Sequence, residues 1–284
     1  MKMKAVVAAT AMAFSSGAFA LDVPGPLVDT EWLASNMDDD NLVVIDVRHP
    51  TKSAFVAPKY VKDKKSGESK LVRVGGHIPD ATIVDSKKIR AKREINGQTV
   101  KKLVPNKADF EQMMQSWGID GDDAVVIAPM GFGNGEVTGA TRLYWQMKYY
   151  GEDNVAILNG GTSKWLAEGR AHETGASKPS KGDWVATAER DDILATTEET
   201  AEALQSGVQL VDNRAPSQYM GVYTKSYVFD DGHIAGAKNY PVDLMSEAGM
   251  GAEFLDADRY RKMMSSMGID PSEPSITVCN SGQV

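Results

Sequence analysis

Phe110-Glu111-Gln112-Met113-Met114-Gln115-Ser116-Trp117-Gly118-Ile119-Asp120 and Tyr260-Arg261-Lys262-Met263-Met264-Ser265-Ser266-Met267-Gly268-Ile269-Asp270 are two versions of one segment, 150 residues apart. They align without a gap: an aromatic residue, a Met-Met pair, a serine and Gly-Ile-Asp coincide. Both read as the end of an amphipathic helix stopped by glycine, which adopts the left-handed backbone of a helix C-terminus without steric cost. A short apolar run follows each, Ala124-Val125-Val126-Ile127 in one and Ser275-Ile276-Thr277-Val278 in the other. Runs of this kind suit buried parallel strands. The chain therefore reads as one α/β unit used twice.

Working outward, Leu42-Val43-Val44-Ile45-Asp46-Val47-Arg48 matches Val208-Gln209-Leu210-Val211-Asp212-Asn213-Arg214, each a strand ending in Asp-x-Arg. Gly76-His77-Ile78 matches Gly232-His233-Ile234 as a turn. Between the copies, residues 172–182 are polar and rich in small side chains, as a linker should be. Thr196 and Glu199 have the spacing of a capping box, which starts a helix. The expected organisation is a first domain over residues 21–172, a linker over 173–190 and a second domain over 191–284. Each domain is expected to be a parallel sheet flanked by helices. A chain of 284 residues suits two domains better than one.

The copies differ in extent. After Ile127 the first continues through a loop from Pro129 to Gly139, a helix through Arg142, Tyr144 and Trp145, a strand Val155–Leu158 and a helix opened by Gly160-Gly161. The second stops five residues after Cys279. By its own repeat it lacks a helix, a strand and a helix. The expectation is an incomplete second domain, cut from a longer parent, because a missing strand leaves apolar faces unburied.

Residues 1–20 read as a secretory signal: Lys2 and Lys4, an apolar run from Ala5 to Phe14, then Ala18-Phe19-Ala20. The apolar run is too short for a membrane anchor. The mature chain is expected to begin near Leu21, periplasmic or secreted, with no later membrane span. With 31 basic and 39 acidic residues, a net charge of -8 and no basic stripe, nucleic-acid binding is disfavoured. The clusters Lys62-Asp63-Lys64-Lys65 and Lys87-Lys88-Ile89-Arg90 read as solvated faces.

Cys279 is the only cysteine, so no internal disulfide can form. The repeat sets it opposite Pro129, just past the carboxyl end of a strand, where open α/β sheets bind ligands. Cys279-Asn280-Ser281-Gly282-Gln283-Val284 is small and polar enough to curl into a nest of backbone N–H groups. Such a nest, with the dipole of a helix starting after it, would favour thiolate and hold an anion. The first copy has no nucleophile there.

These residues resemble the tandem rhodanese family, from about Leu42 to Val284. The carriers are Asp-x-Arg and Gly-His-Ile in both halves, Ala140-Thr141-Arg142-Leu143-Tyr144-Trp145 and Gly160-Gly161-x-x-x-Trp165 in the first, and Cys-x-x-Gly at Cys279. The resemblance implies an inactive first domain, a catalytic second one and a double displacement through a persulfide on Cys279, with no metal or organic cofactor. A small anionic sulfur donor would be bound by Arg214, Asn280, Ser281, Gly282 and Gln283, and a thiol or cyanide would collect the sulfur. It further implies that mercaptopyruvate-using relatives grip the substrate carboxylate with an arginine where this chain has Gln218. Lys225 would be only a point-charge substitute. Thiosulfate-using relatives often carry basic residues where Asn280 and Ser281 stand. The reading leans to thiosulfate, with 3-mercaptopyruvate as the alternative. The longer parent is expected to be active and this chain weak or inactive.

Arg214 has two open roles, fixing the loop or substrate and pairing with Asp212. His233, His77, Asp46 and Arg48 read as structural, Trp145 and Trp165 as core. A cysteine phosphatase is the rival enzyme, and a noncatalytic sulfur- or protein-binding module the rival from another class.

Overall fold

The computed structural model describes residues 21–283. The secretory signal expected over residues 1–20 lies outside the described residues. In chain order the first half comprises β1 (Leu27–Val28), α1 (Thr30–Asn36), β2 (Leu42–Arg48), β3 (Lys59–Lys62), β4 (Ser69–Arg73), β5 (Thr82–Asp85), β6 (Ala91–Ile95), β7 (Gln98–Leu103), α2 (Lys107–Ser116), β8 (Ala124–Pro129), α3 (Asn134–Tyr149), β9 (Val155–Leu158) and α4 (Gly161–Ala167). The second comprises α5 (Thr197–Ser206), β10 (Gln209–Asp212), α6 (Pro216–Tyr219), β11 (Lys238–Asn239), α7 (Ala257–Ser266) and β12 (Ser275–Val278).

The first half is built on a five-stranded parallel sheet in the order β1-β9-β8-β2-β5. The strand period of two sends alternate side chains to opposite faces. Ile45, Val47, Val125 and Ile127 point into a cluster under α2 and α3, while Val44, Val126 and Ala128 point into a second cluster with Leu33, Trp165 and Leu166. The second sheet has the order β11-β10-β12, also parallel, which repeats β5-β2-β8. Its apolar cluster is small: Val211, Tyr240 and Ile269 are buried, with Leu244, Tyr260, Met263 and Met264 packed against them.

The repeat holds down to single hydrogen bonds. Gly118 and Gly268 both have positive φ, 81° and 73°. Each lets the chain turn back so that Ile119 N–H reaches Met114 O at 3.3 Å and Ile269 N–H reaches Met264 O at 2.9 Å. The turn drops both isoleucines into the core at 0% and 1% exposure. The capping box at Thr196 forms as expected, with the Thr196 hydroxyl accepting from Glu199 N–H and the Glu199 carboxylate accepting from Thr196 N–H.

Three features depart from the sequence reading. β2 runs through Asp46 to Arg48, but β10 ends at Asp212. Asn213 leaves the strand, and its N–H bonds Val278 O at 2.9 Å while its side chain bonds Tyr240 O at 3.0 Å. The valine at the matching position of β2 is β-branched and stays extended. Two antiparallel hairpins, β3-β4 and β6-β7, emerge from the first half and have no counterpart among the described residues of the second. The connecting segment 173–190 lies along the first half: Trp184 is buried at 2%, its indole donates to Glu152, and the backbones of His77 and Glu173 exchange N–H···O bonds in an isolated bridge.

Candidate active site

β12 ends at Val278 and delivers Cys279 beyond the carboxyl edge of the sheet, between the two halves. The loop then folds over the sulfur. Ser281 N–H and Gln283 N–H point at Cys279 Sγ, with N···S separations of 3.4 and 3.3 Å. Gly282 has φ of +57°, which lets both amides face inward. No helical turn lies among residues 279–283, so the backbone of the loop itself makes the cradle.

All the loop residues singled out in the sequence gather here. Asn280 donates to Gln218 Oε1 and accepts from Arg214 Nη1 at 3.3 Å. Gly282 O accepts from Arg142 Nη1. A Cβ at Gly282 would sit 2.6 Å from that nitrogen and push the guanidinium aside, and the positive φ itself favours glycine. Gln283 is gripped twice: its carbonyl oxygen accepts from Arg90 Nη1 at 2.6 Å and its amide donates to Thr138 Oγ1 at 3.0 Å.

Arg214 performs both roles the sequence left open. It pairs with Asp212 (Nη2 to Oδ2, 2.6 Å), and it ties Asn280 to Gly232 O at 2.7 Å. The pair with Asp212 pushes the Arg214 guanidinium above its ordinary range. Its twin Arg48 also pairs with its own Asp46, both with fully buried side chains, and reaches no nucleophile. His233 stacks on Tyr219 at 3.7 Å between ring centroids and bonds Tyr219 O at 2.8 Å. His77 is buried, with its ring nitrogens on Ile78 O and Gly175 O.

Two arginines of the first half complete the site. Arg142 is buried on α3; burial first, then the charge of Arg90, pushes it down to about 10, while Cys279 acts in the opposite sense. Burial also pushes Arg90 down, against Tyr227 and Cys279. Arg142 was visible only inside a helical motif. Arg90 corrects the reading of Lys87-Lys88-Ile89-Arg90 as a solvated face: Ile89 is buried and Arg90 is turned onto Gln283. Trp165 is core, as expected. Trp145 is only half-buried: it carries Arg142 over its ring at 4.9 Å and donates to Ile193 O at 3.2 Å. It also borders a cavity of about 520 Å³ beside Cys279, with Arg142, Ile193, Leu194 and Gln283. The arrangement offers a nucleophilic sulfur, amide donors for an anion and three guanidinium groups.

The rhodanese-like domain family matches residues 29–168, the half without the cysteine. Thiosulfate sulfurtransferase of Cricetulus griseus is 28% identical over 267 residues, covering 90% of this chain and 82% of that protein. The 3-mercaptopyruvate sulfurtransferase of Escherichia coli (strain K12) is 24% identical over 256 residues, covering 90% of this chain and 84% of that protein. The crystal structure of SseA from Escherichia coli superposes with a TM-score of 0.70 at 22% identity, covering 90% of this chain and 89% of that one. The matched fold, the repeated strand order and the relatives that span both halves agree: this chain belongs to the rhodanese family, in its tandem-domain form.

Proposed function

We propose that the protein is a sulfurtransferase that carries sulfane sulfur on Cys279, with thiosulfate as donor. The observation that carries this reading is the pair of backbone amides, Ser281 N–H and Gln283 N–H, aimed at the only thiol of the chain. Such donors stabilise a thiolate and afterwards the terminal sulfur of a persulfide. The Cys279 thiolate attacks the outer sulfur of thiosulfate. A sulfur–sulfur bond forms to Cys279, the original one breaks, and sulfite leaves with the electron pair. A thiol or cyanide then attacks the outer sulfur of the persulfide, and Cys279 departs as thiolate. Electrons balance without a metal or organic cofactor.

Thiosulfate is favoured over 3-mercaptopyruvate because Gln218, which stands where a carboxylate-gripping arginine is expected, is neutral and already bonded to Asn280. The apolar leader read in residues 1–20 supports a site of action outside the cytoplasm, and the N-terminal residue of the mature protein tests it.

The test is the intact mass of the protein after thiosulfate treatment, beside a Cys279→Ser variant. The expected result is a gain of one sulfur atom, slow in this chain, absent in the variant and discharged by cyanide. A gain from 3-mercaptopyruvate alone would reassign the donor. No gain from either in a chain extended through the helix, strand and helix that the repeat expects would favour a noncatalytic binding module.

A further inference from the structure

The chain is acidic, with a net charge of -8, yet one short stretch inverts that balance. Residues 87–107 hold Lys87, Lys88, Arg90, Lys92, Arg93, Lys101, Lys102 and Lys107 against Glu94 alone. Most of this stretch is the hairpin β6-β7, whose root lies against the cysteine loop through Arg90 and Gln283. Among the described residues none of Arg90, Lys92, Arg93, Lys101, Lys102 or Arg142 forms an ion pair with a carboxylate.

The hairpin's geometry works against its own stability. Lys92 lies directly opposite Lys101, and like charges facing each other across two strands destabilise the pair. The register shifts between Ala91 and Lys92, which leaves Lys102 as the unpaired residue of a bulge. Lys102 is held at φ of +69°, a left-handed backbone that a side chain with a Cβ adopts only at a cost. The bulge turns its ammonium to 3.8 Å above the ring of Tyr227, a residue of the second half. Tyr227 and Cys279 both act on the charge of Arg90, which places ring, sulfur and guanidinium in one electrostatic neighbourhood. Unpaired cations, a like-charge cross-strand pair and a strained lysine are thus concentrated in one hairpin, whose root touches the cysteine loop through Arg90 and whose Lys102 meets Tyr227 of the second half. Asp192 is the only carboxylate among the residues bordering the adjoining cavity.

We propose that the first half supplies the anion-recruiting wall of the Cys279 site, with Arg90 and Arg142 at the loop and Lys92, Lys101 and Lys102 on the hairpin, so that a small anion is drawn to the sulfur ahead of a neutral reactant of the same size. This wall deepens the sulfurtransferase reading, on which it rests for its purpose. It answers the neutrality of Asn280, Ser281 and Gln218: the positive charge that the cysteine loop lacks arrives from the other half.

The test compares alkylation of Cys279 by iodoacetate and by iodoacetamide, two reagents of similar size that differ by one negative charge. The ratio of their rates is normalised to the same ratio for a small free thiol. The expected ratio exceeds one at low salt and falls about threefold between about 20 mM and about 500 mM salt, as screening removes the local field. A variant with Lys92→Gln, Lys101→Gln and Lys102→Gln loses that excess, and one with the same three lysines changed to arginine keeps it. Three results would overturn the proposal. One is an equal ratio in the parent and the glutamine variant. Another is a ratio below one that rises with salt, as the overall charge alone would produce. The third is a native thiol that neither reagent reaches. A salt-sensitive excess in a protein that takes no sulfur from thiosulfate or from 3-mercaptopyruvate would leave the wall standing and reject the sulfurtransferase.

Discussion

Asp46–Arg48 in the first half and Asp212–Arg214 in the second are the same pair in two settings. The first is sealed, with both side chains at 0% exposure between two apolar clusters. The second is open on one side: Arg214 donates through Nη1 to Asn280 of the cysteine loop and shares Nη2 between Asp212 and Gly232 O. The first half buries its sheet on both faces, whereas the second has one small cluster around Val211, Tyr240 and Ile269. Among the described residues the second sheet has no counterparts of α3, β9 and α4, the elements that help to bury the first. One copy keeps the packing and lends charge across the junction; the other keeps the thiol and the loop that cradles it.

The sharpest way to break this comparison is to truncate twin core residues. Phe110 is fully buried, stacked on Tyr150 at 4.7 Å and edge-on to Trp184 at 5.7 Å between ring centroids. Its twin Tyr260 is half-buried, with its hydroxyl on Met245 O. Phe110→Ala should cost about 3–5 kcal/mol and Tyr260→Ala about half as much, measured by urea unfolding. Equal losses would mean that the second half is packed as tightly as the first.

The twin ion pairs give a second contrast. Asp46→Asn leaves Arg48 buried without a counter-charge and should cost about 3 kcal/mol or more. Asp212→Asn should cost roughly 1–2 kcal/mol, since Arg214 is partly solvated and keeps Gly232 O, but it should slow sulfur uptake by Cys279. An Asp46→Asn protein that melts normally would refute the buried-pair reading.

Arg142→Gln tests whether the first half serves the chemistry. It removes the donor to Gly282 O, which supports the turn that aims two amides at Sγ. Persulfide formation should slow about tenfold, a difference of roughly 1.4 kcal/mol, followed by mass spectrometry over time. An unchanged rate would confine the active site to the second half.

The smallest effect concerns pH. Asp123, in the turn after α2, is pushed up to about 6 from an ordinary 3.8, chiefly by burial. Glu273, 150 residues on, is exposed. The folded chain therefore holds the Asp123 proton more tightly than the unfolded chain. The stability this confers is complete below about pH 4 and is lost as pH rises through 6. Asp123→Asn, which keeps an acceptor for Asp120 N–H, should raise stability at pH 7 by about 1 kcal/mol and flatten this part of the pH profile. A variant no more stable than the parent at pH 7 would remove the cost assigned to this carboxylate.

The sequence by itself determined the repeated unit, the short apolar strands, the glycine stops, the capping box and the loop around the single cysteine. Each of these is written in local patterns of a few residues: short apolar runs, a cap three positions from its partner, glycine where φ must be positive. Asn280, Ser281, Gly282 and Gln283 were legible because they follow Cys279 directly. Only the tertiary structure decided that Arg90 and Arg142 belong with that cysteine. Their contacts with the loop span 193 and 140 residues. In one dimension a run of lysines and arginines looks the same whether it faces water or a thiol, because charge carries no periodic signal of its partner. What distinguishes the two is the placement of a hairpin and a helix from one half against a loop from the other. That placement is set by how the two cores pack, not by the residues on either side of each arginine.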